Sequence, residues 1–302
     1  MENLKELKKI DIHAHTTAHP DLFPPYQDGK RYVSAEELIA YYEQLGIEKG
    51  VLLPLVAPEG MQTQMTTSDC KMLSDRYPER FVWFCNVDPR ASVNNETAPL
   101  DDMISFYKEK GAKGVGEVTA RIWIDDKRVD NLFGCCEECQ MPVILHISPD
   151  FERGAYGLVD DLGLYRLEKM LKKHPKLKIL GHSAPFWAEI SADITETTRF
   201  GYPEGKVTEG RLAKLMRECE NLCCDISAFS GHNALMRDSE YAASFMDEFC
   251  DRIYYGCDIC VPGQTHWFAF RDFLNNMLDT GMIRPEAYRK IVRENALKLL
   301  NL

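Results

Sequence analysis

The chain has 302 residues, of which 45% are hydrophobic and 27% are charged, and its formal net charge is −11. This composition is typical of a soluble globular protein, and the negative charge disfavours nucleic acid and anionic membranes as partners, because both require a basic face. The apolar runs are far too short to span a bilayer and no apolar signal segment precedes the first strand, so we expect a cytoplasmic protein.

Short apolar strands alternate with amphipathic helices along the whole chain. The predicted strands are Lys9–His15, Gly50–Val56, Phe81–Val87, Gly114–Val118, Pro142–Ile147, Leu177–His182, Leu222–Ile226 and Arg252–Gly256. A capping box, Ser34 to Glu37, opens the first helix, and Gly46 ends it after Leu45. The later predicted helices are Thr67–Arg76, Leu100–Lys110, Asn131–Gln140, Gly163–His174, Glu209–Cys219, Ala234–Phe249, Trp267–Thr280 and Pro285–Leu300.

The order of these elements predicts the fold. Eight strand-then-helix units in one chain of this length are typical of a (β/α)8 TIM barrel, and we expect a single domain over residues 1–302. The near-continuous apolar character of the strands is that of parallel strands covered on both faces. A doubly wound open sheet is the alternative, but its nucleotide-binding variants lose support because no G-x-G-x-x-G or P-loop motif follows any strand.

Two histidines on the first strand point to a metal. Ile10, Ile12 and Ala14 alternate with polar residues, so His13 and His15 are expected on one face of the strand. Side chains two residues apart on a strand lie about 7 Å apart at their Cα atoms, close enough to converge on one ion. Imidazole nitrogen suits zinc, iron or nickel.

Polar residues also end other predicted strands. In a (β/α)8 barrel the chemistry lies at the C-terminal ends of the strands. A single histidine at such a place is more often a hydrogen-bonded core residue, but four histidines with carboxylates at one end favour a joint metal site. The polar residues at these ends are His13, His15, Glu117, His146, His182, Asp225 and Asp258.

At these residues the chain resembles the amidohydrolase superfamily, in the branch that includes aminocarboxymuconate-semialdehyde decarboxylase and resorcylate decarboxylase. The resemblance covers essentially the whole chain, and the ordered set of motifs is specific although no single motif is. The motifs are His13-Ala14-His15, Gly116-Glu117, Leu145-His146, Gly181-His182, Asp225 and Gly256-Cys257-Asp258.

The resemblance implies that His13, His15, His146 and Asp258 bind a divalent metal ion, with zinc and a single ion favoured. His182 is then expected beside the metal-bound water or on a second ion. Many family members carry a carboxylated lysine on the fourth strand that bridges two metals, whereas here Glu117 occupies that place. Glutamate can also bridge two ions, so a two-ion site remains an alternative, as does a role for Glu117 in facing the substrate.

The expected chemistry is metal-assisted hydrolysis of a small amide, lactam or lactone. Asp258 is expected to accept the proton of the attacking water, while His182 orients that water or stabilises the oxyanion. The alternative is non-oxidative decarboxylation of a small aromatic or dienoic carboxylic acid on the same residues. A metal-binding protein without activity is the non-enzymatic alternative.

Loops beyond the strand ends are expected to select the substrate. Arg121 and Arg153 are candidates for holding an anionic substrate, with surface salt bridges as the alternative for each. The long segment from Pro185 to Gly205 has the length, aromatic residues and turn residues of a lid, and we call it the lid segment. Trp187 is a candidate for lining the pocket or for packing beneath this segment. Asp225 is expected to hydrogen-bond a ligand histidine.

Two further predictions concern the rest of the molecule. His19, His232 and His266 fall in predicted loops and are expected to be solvated. A homodimer is plausible from the resemblance and from an acidic, aromatic-rich surface.

Overall fold

Parallel strands form the centre of the molecule in the computed structural model, which describes residues 3–25, 28–59, 65–154 and 156–302. Every strand pairs in parallel with its neighbours in these ranges. The strands are β1 Lys9–Ala14, β2 Ile47–Leu52, β3 Phe81–Trp83, β4 Val115–Val118, β5 Val143–Ser148, β6 Leu158–Val159, β7 Ile179–His182, β8 Leu222–Asp225 and β9 Ile253–Tyr254.

The strands close into a barrel. One sheet has the order β1-β2-β3 and the other β4-β5-β7-β8-β9, and β6 pairs with β5 outside this order. A bridge from Cys85 to Val115 joins β3 to β4, and a bridge from Ala14 to Ile259 joins β1 to the segment after β9. The Ile12 N–H donates to the Tyr255 carbonyl at 2.9 Å and completes the closure. The predicted (β/α)8 barrel is confirmed, with β6 as an addition to the eight barrel strands.

Helices cover the outside of the barrel. They are α1 Ala35–Leu45, α2 Thr67–Arg76, α3 Leu100–Glu109, α4 Lys127–Glu138, α5 Tyr165–Lys173, α6 Ala184–Ala188, α7 Arg211–Glu218, α8 Ala228–Met236, α9 Ser239–Glu248, α10 His266–Asp279, α11 Pro285–Arg289 and α12 Asn295–Leu300. The predicted start of α1 is confirmed, because the Ser34 hydroxyl accepts from the Glu37 N–H at 3.2 Å. The left-handed Gly46, with φ of 71°, ends the helix.

One helix prediction is wrong, and a second is confirmed over its whole range with a local change of hydrogen bonding. The predicted helix Ala234–Phe249 is two helices, α8 and α9, because the Asp238 side chain accepts from the Tyr241 N–H and caps a new helix. The predicted helix Pro285–Leu300 contains a π-helical turn, Lys290–Glu294, between α11 and α12.

The core has an inner and an outer part. Ile10, Ile12 and Phe84 belong to the inner cluster, together with Ala296 and Leu300 of α12. The final helix therefore closes the N-terminal end of the barrel, and the functional end lies opposite. Burying each such aliphatic side chain contributes roughly 1.5–3 kcal/mol. Over the part of the chain that the structure describes, no helix is both long and apolar enough to cross a membrane.

Candidate metal centre

The first two histidines lie at the C-terminal end of β1, with His13 in the strand and His15 one residue beyond its last residue. The His13 and His15 side chains are buried, and their Nε2 atoms lie 3.0 Å apart. The two-residue period of the strand places both on one face, as the sequence predicts. Because His13 is 0% and His15 is 2% exposed, these rings have little freedom to turn away.

Asp11 fixes this strand end, and it was not among the predicted site residues. Its Oδ1 accepts from the backbone N–H of His13 at 3.0 Å and of Cys257 at 2.9 Å, while Oδ2 accepts from the Tyr42 hydroxyl at 2.7 Å. Burial raises the pKa of Asp11 to about 7. Since Cys257 precedes Asp258, Asp11 holds the loop that carries Asp258 against β1. A polar residue on the same strand face as two histidines was the available signal.

The hydrogen bonds at Nδ1 of His13 and His15 determine whether Nε2 of each ring has a free lone pair. Nδ1 of His13 lies 2.6 Å from Oδ2 of Asp225, and Nδ1 of His15 lies 2.9 Å from the Leu53 carbonyl. A carbonyl only accepts, and an ionised carboxylate does the same, so both Nδ1 atoms carry the proton in the neutral rings. The two Nε2 lone pairs then face each other, an arrangement that a cation between them stabilises.

Two carboxylates complete this group. Oε2 of Glu117, on β4, lies 3.2 Å from Nε2 of His15 and 3.5 Å from Nε2 of His13. Oδ1 of Asp258 lies 3.6 Å from the same two nitrogens. Atoms bound at about 2.0–2.2 Å to a tetrahedral zinc ion lie roughly 3.3–3.6 Å from one another. The residues present therefore fit a divalent ion.

The remaining histidines lie on the other side of Glu117. Nδ1 of His146, on β5, is 2.7 Å from Oε1 of Glu117. His182, at the end of β7, has Nδ1 3.1 Å from the Ser227 hydroxyl and 3.3 Å from Oδ2 of Asp225. Its Nε2 faces Oδ2 of Asp258 at 3.7 Å.

The structure brings all of the predicted ligand and catalytic residues together, in an arrangement that differs from the implied ligand set. His13, His15 and Asp258 form one group of potential ligands within 4.8 Å of one another, whereas Glu117, His146 and His182 form another. His146 thus lies with Glu117 and His182. We call the full set the strand-end cluster: His13, His15, Glu117, His146, His182, Asp225 and Asp258.

The electrostatics of the strand-end cluster favour a cation. Burial lowers the pKa of His13, but the carboxylates of Asp258, Asp225 and Glu117 outweigh burial and hold that pKa well above its usual range. Burial raises the pKa of Asp225, and the attraction to His13 reverses the direction, so the carboxyl is held below its usual range. A buried site that draws a proton onto a histidine in this way offers the same attraction to a metal ion.

The predicted substrate contacts lie at the edge of this site or behind it. The Arg121 guanidinium donates to the Phe151 carbonyl, and Nε of Arg153 donates to Oδ2 of Asp150 at 2.7 Å. Each arginine must exchange its present partner to bind a substrate carboxylate. Trp187, in α6, is 1% exposed and its indole N–H donates to the Asp225 carbonyl at 2.9 Å. This position favours packing beneath the lid segment over the predicted substrate contact.

Two of the three histidines predicted in loops lie in helices, so that prediction is wrong for both. His232, in α8, is buried and stacks on Phe270 with ring centroids 4.0 Å apart and planes 13° apart. His266 is the first residue of α10, with its ring centroid 5.3 Å from that of His232. Neither nitrogen of His232 has a well-formed hydrogen bond, and the Gly256 backbone is a polar group that acts on its ring. His232 was placed in a loop because the sequence pattern predicts a helix only from Ala234, whereas α8 begins six residues earlier, at Ala228.

Smaller supporting residues also escaped the sequence analysis. The Ser227 hydroxyl orients His182, and the Asn86 amide donates to the Pro54 carbonyl at 2.9 Å and to the Glu117 carbonyl. These residues hold strand ends in place, and they carry no spacing signal that separates them from ordinary serines and asparagines.

Comparison with known proteins gives a family. The sequence model described as amidohydrolase, Amidohydro_2, matches residues 10–302. No curated protein is similar enough in sequence to match.

Three solved structures illustrate the likeness of fold. An uncharacterised TIM-barrel protein from Bordetella bronchiseptica is 16% identical with a TM-score of 0.65, and the match covers 98% of this chain and 99% of the other. A probable 2-pyrone-4,6-dicarboxylic acid hydrolase from Acinetobacter baumannii is 14% identical, with a TM-score of 0.58 and coverage of 98% and 100%. A dihydroxybenzoic acid decarboxylase from a Polaromonas species, with bound manganese and the inhibitor 2-nitroresorcinol, is 16% identical, with a TM-score of 0.59 and coverage of 98% and 97%.

Proposed function

The chain belongs to the amidohydrolase family, and from that premise we propose that it is a metal-dependent enzyme that hydrolyses a small amide, lactam or lactone. The observation that carries the proposal is the convergence of His13 and His15 on the carboxylates of Glu117 and Asp258, at distances that suit a divalent ion. The substrate is a small molecule.

The proposed ion is zinc, held by Nε2 of His13, Nε2 of His15 and the two carboxylates. Two imidazoles and two carboxylates also suit manganese, the ion bound in the Polaromonas decarboxylase. A bound divalent ion lowers the pKa of a coordinated water to about 7 and polarises a substrate carbonyl.

Asp258 is the proposed general base. Its side chain is 18% exposed, whereas those of Glu117 and Asp225 are 2% and 0% exposed. It is therefore the cluster carboxylate that an attacking water reaches most directly. Asp258 accepts the proton of that water and later delivers it to the leaving nitrogen or oxygen.

His182 is the proposed partner of Asp258. Its Nδ1 is held by Ser227 and Asp225, and its Nε2 points toward Asp258. In the neutral ring with the proton on Nδ1, Nε2 accepts a hydrogen bond and orients the attacking water. In the protonated ring, Nε2 donates to the oxyanion that forms on the substrate carbonyl.

Decarboxylation is the second candidate, and the structural neighbours favour it at least as strongly. Decarboxylases of 2,6-dihydroxybenzoate and 5-carboxyvanillate share this fold with the Polaromonas enzyme, and so does the probable 2-pyrone-4,6-dicarboxylic acid hydrolase. Here the cluster would hold the carboxylate of a small aromatic or dienoic acid, and Asp258 or His182 would supply the proton to carbon. Arg121 and Arg153 are the proposed contacts for an anionic substrate.

A product analysis separates the two candidates. The metal-loaded protein is incubated in oxygen-18 water with a panel of lactones, amides, and aromatic and dienoic acids. Hydrolysis predicts oxygen-18 in the product without carbon dioxide, and decarboxylation predicts carbon dioxide without incorporation. Turnover that persists after chelation of every metal ion contradicts both. The homodimer, the single domain and the cytoplasmic location stay predictions.

A further inference from the structure

We propose that a groove at the N-terminal end of the barrel binds a small phosphorylated molecule. The groove has a volume of about 900 Å³ and lies between α12 and the starts of β5, β7 and β9. Sites for small molecules typically occupy roughly 300–1,000 Å³. Because the groove and the strand-end cluster lie at opposite ends of the barrel, the proposal does not depend on the proposed catalytic function.

Several basic side chains in this groove have no acidic partner. Among the residues that the structure describes, no carboxylate forms an ion pair with Lys176, Lys178 or Lys298, whereas Lys290 pairs with Asp251 at 2.9 Å. The net charge of −11 repels anions from the molecule as a whole, so a local group of free ammonium ions is the place that attracts one. The basic residues that line the groove are Lys176, Lys178, Arg252, Lys290 and Lys298.

The other acidic residues of the groove do not neutralise these lysines. Oε1 of Glu137 accepts from the backbone N–H of Lys176 at 2.7 Å, and Glu294 pairs with Arg289 at 3.5 Å. Glu138 is exposed and forms no ion pair with the described residues. The ammonium groups therefore stay uncompensated within the protein, and a bound anion compensates them.

Arg252 adds a guanidinium that the protein holds in place. Its Nη1 donates to the Cys219 carbonyl at 3.0 Å and to the Leu222 carbonyl at 3.3 Å, and its guanidinium carbon lies 5.5 Å from the centre of the Phe249 ring. Nε and Nη2 donate to no acceptor in the described part of the chain. These two groups form one edge of the guanidinium, and such an edge binds two oxygens of a phosphate at once.

The cations of the groove are carried by separate elements of the fold. Lys178 directly precedes β7 and Arg252 directly precedes β9, on the two sides of β8 in the sheet. The amide of the buried Asn295 donates to the Ile253 carbonyl at 2.8 Å and fixes the start of α12 against β9, and Lys298 follows three residues later. A phosphorylated molecule suits this arrangement, because its charged oxygens contact several lysines while the guanidinium edge binds one phosphate.

The test uses inorganic pyrophosphate as the probe and the acetylation rate of single lysines as the readout. The full chain is labelled with acetic anhydride at constant ionic strength, with and without pyrophosphate, and each lysine is followed by mass spectrometry. Lys176, Lys178 and Lys298 are expected to lose most of their reactivity when pyrophosphate binds. Lys214 of α7, which is exposed and forms no ion pair with the described residues, is the reference and is expected to keep its rate. Unchanged rates at the groove lysines, or an equal decrease at Lys214, overturn the proposal.

This readout separates the groove from the metal centre. Pyrophosphate also binds metal ions, but the strand-end cluster contains no lysine, so binding there leaves the acetylation of the groove lysines unchanged. The measurement needs neither a bound metal ion nor a substrate. Its failure therefore leaves the proposed function standing, and failure of the proposed function leaves this result unaffected.

A double variant measures the contribution of the lysines. Lys178→Gln/Lys298→Gln is expected to weaken pyrophosphate binding in calorimetric titrations by roughly tenfold or more, because two charge-assisted contacts are lost. Lys214→Gln, the matched control, is expected to bind as the wild type does. A folded double variant with wild-type affinity overturns the proposal. If circular dichroism shows that the double variant does not fold, lysine protection in the wild-type protein decides the question.

Discussion

Two sets of histidines in this barrel differ in what surrounds them. In the strand-end cluster, Asp225 and the Leu53 carbonyl orient His13 and His15, and carboxylates face their free nitrogens. In the pair formed by the buried His232 and the half-buried His266, hereafter the α8–α10 pair, His232 stacks on an aromatic ring and neither of its nitrogens has a well-formed hydrogen bond. The pKa of His13 is held well above its usual range, whereas burial lowers that of His232 to about 3.

The difference shows what distinguishes a metal centre from packing. Each set contains a fully buried histidine, His13 in one and His232 in the other, and both lie on elements at the C-terminal end of the barrel, so burial and location alone do not separate them. The two sets are separated by the groups that face the ring nitrogens. In the metal centre, hydrogen-bond acceptors face Nδ1 and carboxylates face Nε2, so the Nε2 lone pairs are directed at a place where positive charge is stabilised. The following predictions test this distinction.

The largest effect is expected on removing both histidines at the end of β1, His13 and His15. The double variant His13→Ala/His15→Ala is predicted to lose bound metal and to reduce turnover roughly a thousandfold or more, since the ion supplies several kcal/mol of transition-state stabilisation. Metal analysis and kcat/KM on whichever substrate the product screen identifies provide the measurement. His19→Ala is the control, and a double variant that retains both metal and activity disproves the assignment.

Removing only the orienting acceptor is expected to have a smaller effect. Asp225→Asn keeps the shape of the side chain but loses the charge that fixes the His13 tautomer. The affinity for zinc is predicted to fall about 10–100-fold, as observed when partners behind metal ligands are removed. Competition with a chromogenic chelator measures the change, and an unaltered affinity would show that Asp225 does not orient the ligand.

We expect His232 of the α8–α10 pair to make the free energy of unfolding depend on pH, as an ordinary surface histidine does not. His232 has a pKa of about 3 in the folded protein, below the value of about 6.5 expected in the unfolded chain. Between these values the unfolded chain binds a proton that the folded protein does not. The free energy of unfolding therefore decreases as the pH is lowered, by at most about 1.4 kcal/mol per pH unit. His232→Phe removes this dependence. Its stability advantage over wild type is predicted to grow from pH 7 to pH 5 in urea titrations, and a constant difference contradicts the assignment.

The smallest effect is expected for the same substitution at neutral pH. Phenylalanine keeps the stacking on Phe270 and removes two buried ring nitrogens that lack a well-formed hydrogen bond, so His232→Phe is predicted to raise the free energy of unfolding by about 1 kcal/mol. Thermal unfolding at pH 7 measures it, with His19→Ala as the neutral reference. A clear loss of stability would indicate that His232 has a partner in solution.

Much of the fold was predictable because hydrophobic pattern determines strands and helices locally. All eight barrel strands follow from apolar runs, and α1 follows from its capping box. The break between α8 and α9 was missed because apolar residues recur on both sides of the polar run Arg237-Asp238-Ser239-Glu240, although Asp238 within that run caps the start of α9 through a side-chain hydrogen bond.

The composition of the site was more predictable than its arrangement. The histidines and carboxylates were predicted at the C-terminal ends of the strands, and they lie together because a barrel brings those ends together. Side-chain directions determine that His146 groups with Glu117 and His182. Closure of β1 against the loop after β9 determines the hydrogen bond from the Cys257 N–H to Asp11. Those features arise only when distant strands meet, so no local pattern encodes them.

The most direct test of the central assignment is a crystal structure of the zinc-loaded protein with data collected at the zinc absorption edge. The account predicts anomalous density within bonding distance of Nε2 of both His13 and His15, in contact with Glu117 and Asp258. An anomalous map that shows nothing among these four side chains, in crystals where zinc is present in excess, contradicts it.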